Sequence, residues 1–329
     1  MGRFILKRLG ISLLILLFVT FLFYLLLRLM PASFVETTAM QLSQAPGAKP
    51  YQQWLDQLNA QYGLDKGIFQ GYFLQLRSLL TLQFGDSWKY AMPVTEKFSR
   101  VIGVSVALGL SAFLLEILLA VPLGIWAARK QNTLADHAIS LGALIGISLP
   151  AFFFATALKL VFSVKLGWFD LYGLTGRNHL SLSTFGKFLD IAKHLVLPVV
   201  TVVVISTGSL LRHTRSNMLE VLSADYIRTA RAKGLTEGQV IRRHGFRNIL
   251  IPLSTLICGS LPGIFSGALV TETLFGLGGI GYTAYQAMVA GDIPFTMFYL
   301  TFLAVLTLLG NLLADVAYAL ADPRVKLGR

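Results

Sequence analysis

Gly276-Leu277-Gly278-Gly279-Ile280-Gly281 spells G-x-G-x-x-G, the spacing with which a glycine-rich turn cradles a dinucleotide pyrophosphate. That chemistry needs a short strand before the turn, within a βαβ unit. A long apolar run precedes it instead, so the dinucleotide reading is rejected and the glycines are expected to make tight turns in a re-entrant segment. No G-x-x-x-x-G-K followed by Ser or Thr occurs, so nucleotide-driven work would require a phosphate cradle on another polypeptide. His137, His179, His194, His213 and His244 show neither H-E-x-x-H nor a paired i, i+4 spacing, and a metal site is not expected. The single cysteine, Cys258, lies in an apolar stretch and can form no internal disulfide. Glu116 and Asp315 fall well inside apolar runs. Each reads either as a proton- or ion-pathway group or as a side chain hydrogen-bonded in a helix interface, with Asp315 nearer the second. Lys159 is expected to snorkel to an interface and to do no chemistry.

The elements that hold these residues follow from composition. With 55% hydrophobic and 13% charged residues over 329 positions, the chain has too few charges to clothe a soluble globule. Its 23 Phe and 11 Tyr are too much apolar surface for a disordered chain. The bilayer is the remaining solvent, and a span needs about 20 apolar residues in helix. Six windows qualify, at about 9–27, 101–128, 139–164, 195–211, 249–274 and 295–320. The first follows Arg3, Lys7 and Arg8 but is too long for a signal-peptide core, so it reads as an uncleaved anchor. The leader, the loop at 129–136, the stretch at 212–247 and the tail after Ala321 hold 16 Lys and Arg, whereas the long segment at 28–100 holds seven in 73 residues. By the positive-inside rule both termini are cytoplasmic, and the net charge of +12 sets orientation rather than nucleic-acid binding.

The expected fold is therefore an all-α integral membrane protein with six transmembrane helices. Its parts are a leader and first helix (1–30), an external loop with short helices and no independent domain (31–100), a five-helix core (101–321) with a cytoplasmic loop at 212–248, and a tail (322–329). Pro122, Gly124, Pro150, Pro198, Pro252 and Pro262 lie at depth, where freed backbone groups call for protein or a cavity beside them. Gly259, Gly263 and Gly267, spaced four apart in the fifth window, are expected on one helical face, as a close helix seam or the wall of a narrow passage, with Pro262 beside them. Gly142 and Gly146 repeat that spacing once, and helix packing suffices to explain them.

The cytoplasmic loop differs in kind. Ser223 can cap a first short helix, Asp225 complements its dipole, Lys233 suits its last turn and Gly234 can take the left-handed position after it. Thr236 to Gln239 then forms a capping box for a second helix running through Arg242, Arg243 and Arg247 towards the membrane. Helix, glycine elbow, helix is a shape that fits another protein's groove; the alternative is a solvated basic loop at the anionic leaflet.

At this loop, Asp225-Tyr226-Ile227-Arg228-Thr229-Ala230-Arg231-Ala232-Lys233-Gly234 followed by Arg247-Asn248-Ile249-Leu250-Ile251-Pro252 resembles the permease subunits of ABC importers for peptides and nickel. Arg228, Thr229 and Ala230 occupy the Glu-Ala-Ala places of the broad class's EAA motif, and the 14 residues between Gly234 and Ile249 look like the peptide/nickel branch. Tyr62-Gly63-Leu64-Asp65, Phe84-Gly85-Asp86, Pro122-Leu123-Gly124, Ser148 to Phe152, Leu166-Gly167-Trp168 and Ala321 to Arg324 agree along nearly the whole chain. One departure is visible: Val106 stands where the family often has a Glu, and Glu116 lies deeper. The resemblance implies a type I importer. Two homologous six-helix permease subunits form the passage, two ATPase subunits bind ATP and Mg below, and an extracytoplasmic substrate-binding protein delivers cargo. It makes Asp225, Tyr226, Arg228, Thr229, Ala230 and Gly234 ATPase-coupling residues and leaves this chain without cofactor, metal or catalytic site. Peptides are the expected cargo. A nickel or other small-solute importer, or an ion-coupled carrier using Glu116 or Asp315, is the alternative.

Overall fold

The computed structural model describes residues 2–29, 33–81 and 83–321; the tail at 322–329 and its Asp-Pro-Arg lie outside them. The helices are α1 (Gly2–Leu29), α2 (Ser33–Ser43), α3 (Tyr51–Tyr62), α4 (Ile68–Thr81), α5 (Val94–Arg129), α6 (Leu134–Ser148), α7 (Ala151–Leu158), α8 (Thr184–Ser223), α9 (Asp225–Ala232), α10 (Glu237–Val240), α11 (Phe246–Ser266), α12 (Leu269–Phe275), α13 (Ile280–Val289) and α14 (Ile293–Ala321). Single π turns continue α7 (Lys159–Lys165) and join α10 to α11 (Ile241–Gly245). Five helical stretches are long and apolar enough to cross a membrane, and a sixth span is made only if α6 and α7 count as one. These two meet at 103°, because Pro150 caps α7 and cannot continue α6. The third window is thus a bent pair and not a straight rod. The fifth is shorter than its window, since α11 stops at Ser266.

Contacts divide the chain into two units. One comprises Gly2–Arg100 and Thr283–Leu308. Here α1 is held by hydrogen bonds at the end of its apolar run: Tyr24 Oη donates to Gly63 O (3.2 Å) and Arg28 Nη2 to Leu64 O (3.3 Å). Val35, Ala39 and Leu58 share a core with Ile293 and Met297. A two-residue hairpin, β1 (Asp86–Ser87) with β2 (Met92–Pro93), places Ser87 Oγ on the buried Asp292 carboxylate, which also caps α14 through the Phe295 N–H (3.1 Å). Three short helices, α2, α3 and α4, lie between α1 and the hairpin.

The other unit holds Val101–Tyr282 and the chain from Leu309. Small residues permit its close helix approaches. A methyl at Gly146 would lie 2.6 Å from Val204 O, and one at Gly208 2.5 Å from Ala143 O, so α6 and α8 nearly touch backbone to backbone; Gly142 meets nothing. At the basic-loop end Thr133 caps α6, and Asp136, 1% exposed, receives Arg215 Nε at 2.6 Å and Nη2 at 2.7 Å. Asp136→Ala should cost about 2 kcal/mol rather than the several of a fully buried pair, because rehydration compensates Arg215 in part. Its side chain is 28% exposed. A lowered denaturation midpoint in detergent would show the loss; an unchanged midpoint would rule out a stabilising pair.

Three side chains are placed differently from expectation. Lys159 does not snorkel: it is 7% exposed, its Nζ donating to Leu274 O at 2.5 Å and lying 3.6 Å from the centre of the Tyr172 ring. The carbonyl end of α12 and an aromatic face are the partners that let an ammonium stay inside. His179 and His194, far from any metal motif, are brought together by Asp190. One carboxylate oxygen lies 2.6 Å from His179 Nδ1 and the other 3.4 Å from His194 Nδ1, pinning the 166–183 connection to α8.

Candidate functional site

The basic loop folds as helix, elbow, helix. α8 runs unbroken for 40 residues to Ser223, then Ala224 turns the chain into the eight-residue α9. Ser223 does not cap α9. As the last residue of α8 its Oγ donates to Glu220 O at 2.7 Å, and Ala224 holds the cap position without a side-chain bond. Gly234 has φ of +79°, the left-handed geometry that ends a helix cheaply only in glycine. Thr236 and Gln239 form both halves of the capping box, with the Thr236 N–H on Gln239 Oε1 at 3.1 Å. Arg231 grips Glu237 across the elbow with Nε at 3.1 Å and Nη2 at 2.8 Å.

Period 3.6 divides the residues of α9 between two faces. Ile227 and Ala230 point inward, packing with Val240 and against Val221 and Leu235, so the elbow has a small core of its own. Asp225, Tyr226, Arg228 and Thr229 point outward. Arg228 Nη1 lies 3.6 Å from Asp225 Oδ1 on that exposed face, a pair that solvent largely screens. Partial desolvation raises the Tyr226 phenol above its ordinary value, and the Glu220 carboxylate adds to the effect, so the hydroxyl stays neutral. Ala230 supports the outward face without being part of it.

A second site lies along α5, α8 and α11. Among the described residues, no neighbouring atom lies within 4 Å of where a side chain would start on Gly259 or Gly263. Gly267 has left that face altogether: α11 ends before it, and its φ of +79° turns the chain into α12. Pro262 does pack, its ring lying 2.6 Å from where a methyl on Gly310 of α14 would sit. Gly263 and Gly267 instead line a cavity of about 180 Å³ with Ser105, Glu116, Ser206 and Ser260. A neighbouring cavity of about 140 Å³ shares Glu116, Ser260 and Phe113 and adds Ser209 and His213. A third, of about 740 Å³, takes in Ser209 and His213 again, with Arg212 and Arg215. Polar side chains thus follow one another along this surface.

Glu272 was not among the carboxylates expected at depth, yet it is 0% exposed. Its Oε1 accepts from Ser105 Oγ at 2.5 Å and its Oε2 from the Tyr282 N–H at 2.8 Å, while Ser105 Oγ accepts from the Ile280 N–H at 2.7 Å. The G-x-G-x-x-G segment is the wrapping of this carboxylate. Gly276 and Gly278 supply left-handed turns, and a methyl at Gly279 would fall 2.5 Å from Glu272 Oε1. The signal was present in a carboxylate inside the fifth apolar window followed by a glycine cluster. What could not be read was Ser105, 167 residues away. Asp315, by contrast, lines none of the three cavities described.

Residues 120–327 match the family described as binding-protein-dependent transport system inner membrane component. The chain belongs to this family. It is a permease subunit of ABC transport systems, a multi-pass inner-membrane protein and not itself an enzyme, and membership makes it one component of a larger transport complex. Among similar permeases, the oligopeptide transport system permease protein AppB of Bacillus subtilis (strain 168) is 33% identical over 99% of this chain and 100% of its own length. The di/tripeptide transport system permease protein DppB of Pseudomonas aeruginosa (strain UCBPP-PA14) is 34% identical over 99% of both chains. The dipeptide transport system permease protein DppB of Escherichia coli (strain K12) is 32% identical over the same shares. Among solved structures, an inward-facing MetNI methionine ABC transporter matches with a TM-score of 0.52 at 17% identity, covering 69% of this chain and 97% of that one, which supports the type I permease fold.

Proposed function

We propose that this chain forms half of the membrane passage of an ATP-driven importer for peptides, with α9 as the helix through which ATPase subunits act. The carrying observation is the elbow. Asp225, Tyr226, Arg228 and Thr229 stand exposed on a short helix fixed from behind by Ile227, Ala230 and the Arg231–Glu237 clasp, which is a rigid knob for a groove and not a loose basic loop. In this reading the elbow and both termini are cytoplasmic, and a second homologous permease completes the passage. Two ATPase subunits bind ATP and Mg, and an extracytoplasmic binding protein presents cargo. ATP-driven closure draws the coupling helices together and moves the passage from inward-facing to outward-facing, because ATP binds the two states unequally. The names of the relatives, which speak of oligopeptides, di- and tripeptides and dipeptides, favour peptides over nickel or another small solute.

The test is purification of the tagged protein from its native membrane in mild detergent. Identification of its companions by mass spectrometry then precedes reconstitution. A second permease, ATPase chains and a binding protein are expected, with peptide uptake that requires ATP. Recovery of the chain alone, with uptake driven by an ion gradient, would replace this reading with a coupled carrier.

A further inference from the structure

Glu116 is a carboxylate inside the apolar span made by α5, and among the described residues no ion pair involves it. It shares a cavity wall with Ser206. It stands where two cavities of about 180 and 140 Å³ meet, and neither is lined by Lys or Arg; His213 is the other titratable side chain on their walls. A carboxylate so placed is costly facing lipid and needs a counter-charge or water. The walls specify what kind of charge. Ser206 and Ser260 line the larger cavity with Glu116, Ser209 and Ser260 the smaller, each a hydroxyl whose oxygen can accept, and Phe113 lines both. A primary ammonium has three N–H donors, which one carboxylate and two hydroxyl oxygens satisfy, and an aromatic ring adds a favourable face. The cavities are small, the size of a chain end rather than of a whole peptide.

We propose, resting on the peptide-importer reading, that Glu116 with its serine neighbours is a transit site for the amino-terminal ammonium of the peptide. It would hold the leading end of the cargo in the passage and select against peptides whose amino group is blocked.

The experiment uses the full complex in proteoliposomes with ATP and saturating binding protein, and compares uptake of trialanine with N-acetyl-trialanine. Glu116→Gln should lower trialanine uptake about tenfold, the worth of one hydrogen bond to a charged group, while N-acetyl-trialanine changes less than about twofold. Glu116→Asp, which keeps the charge, should retain at least about half of the trialanine rate. An equal fall for both peptides, with no rescue by Asp, would overturn the proposal in favour of a structural role. Wild-type uptake that needs a proton or sodium gradient, lost for both peptides in the Gln variant, would overturn it in favour of ion coupling. Trialanine uptake untouched by the Gln change would refute the site and leave the importer standing. Absence of any ATP-dependent peptide uptake by the wild type would refute both.

Discussion

Glu272→Ala is expected to destabilise the protein by about 4 kcal/mol, from two donors left without acceptors in a dry interior at about 1 to 3 kcal/mol each and the void left behind. Ser105 Oγ and the Tyr282 N–H both donate to this carboxylate. No water reaches them to compensate, since Glu272 is 0% exposed. Glu272→Gln should cost less than half as much. Its oxygen can serve the Tyr282 N–H while its amide group donates to Ser105 Oγ, which has a lone pair to spare. Chemical denaturation in detergent, followed by tryptophan fluorescence, separates the three proteins. Equal midpoints for wild type and Ala would mean the carboxylate is not a structural tie.

The second large effect concerns Gly234. Valine there must adopt φ near +79°, at about 1 to 2 kcal/mol of strain, which is a factor of roughly 5 to 30 in the population of the elbow. Among the described residues a Cβ at this position meets no atom within 4 Å, so the penalty is one of conformation rather than of a clash. This separates it from a packing defect: Gly234→Asn, which tolerates the left-handed region, should behave nearly as wild type, while Gly234→Val should reduce peptide-stimulated ATP hydrolysis by the full factor. Equal behaviour of Asn and Val, either both active or both impaired, would remove the elbow from the coupling path.

These two sites differ in how far the sequence could carry a reader. The elbow is written in a capping box that spans three residues, Thr236 to Gln239, together with one glycine after a short amphipathic stretch; the Arg231–Glu237 clasp across it, six residues apart, was not read. Local signals of that kind survive any tertiary context, so this part was legible. The Ser223 cap failed because α8 had not ended, and a serine at the last position of a helix bonds backwards to its own turn. The Glu272 tie was invisible because its partners come from α5 and from the first turn of α13, and no period relates them. The bend in the third span was hidden by composition: Pro150 in an apolar run reads alike whether it kinks one helix or separates two. Six apolar windows, by contrast, followed from bilayer thickness alone, and each falls on helix, though Gly267 cuts the fifth short.

The helical stretch that begins at the capping box does not stop at the membrane boundary. Through the π turn at Ile241–Gly245 it continues to Ser266, 30 residues or about 45 Å of nearly continuous helix, and it ends on the left-handed Gly267. Such an element is a lever. Its starting end is clasped to α9 through Arg231 and Glu237, and its far end is Gly267, seated so closely on Gly281 that a methyl there would press on the Gly281 nitrogen. Pro252 and Pro262 are the places where the beam can flex. A push of a few ångströms at one end becomes a tilt of a few degrees, delivered to the turn that wraps Glu272. Under the proposed coupling, work done at a nucleotide site in an ATPase subunit would be felt at the far end of the span without any side chain handing it on.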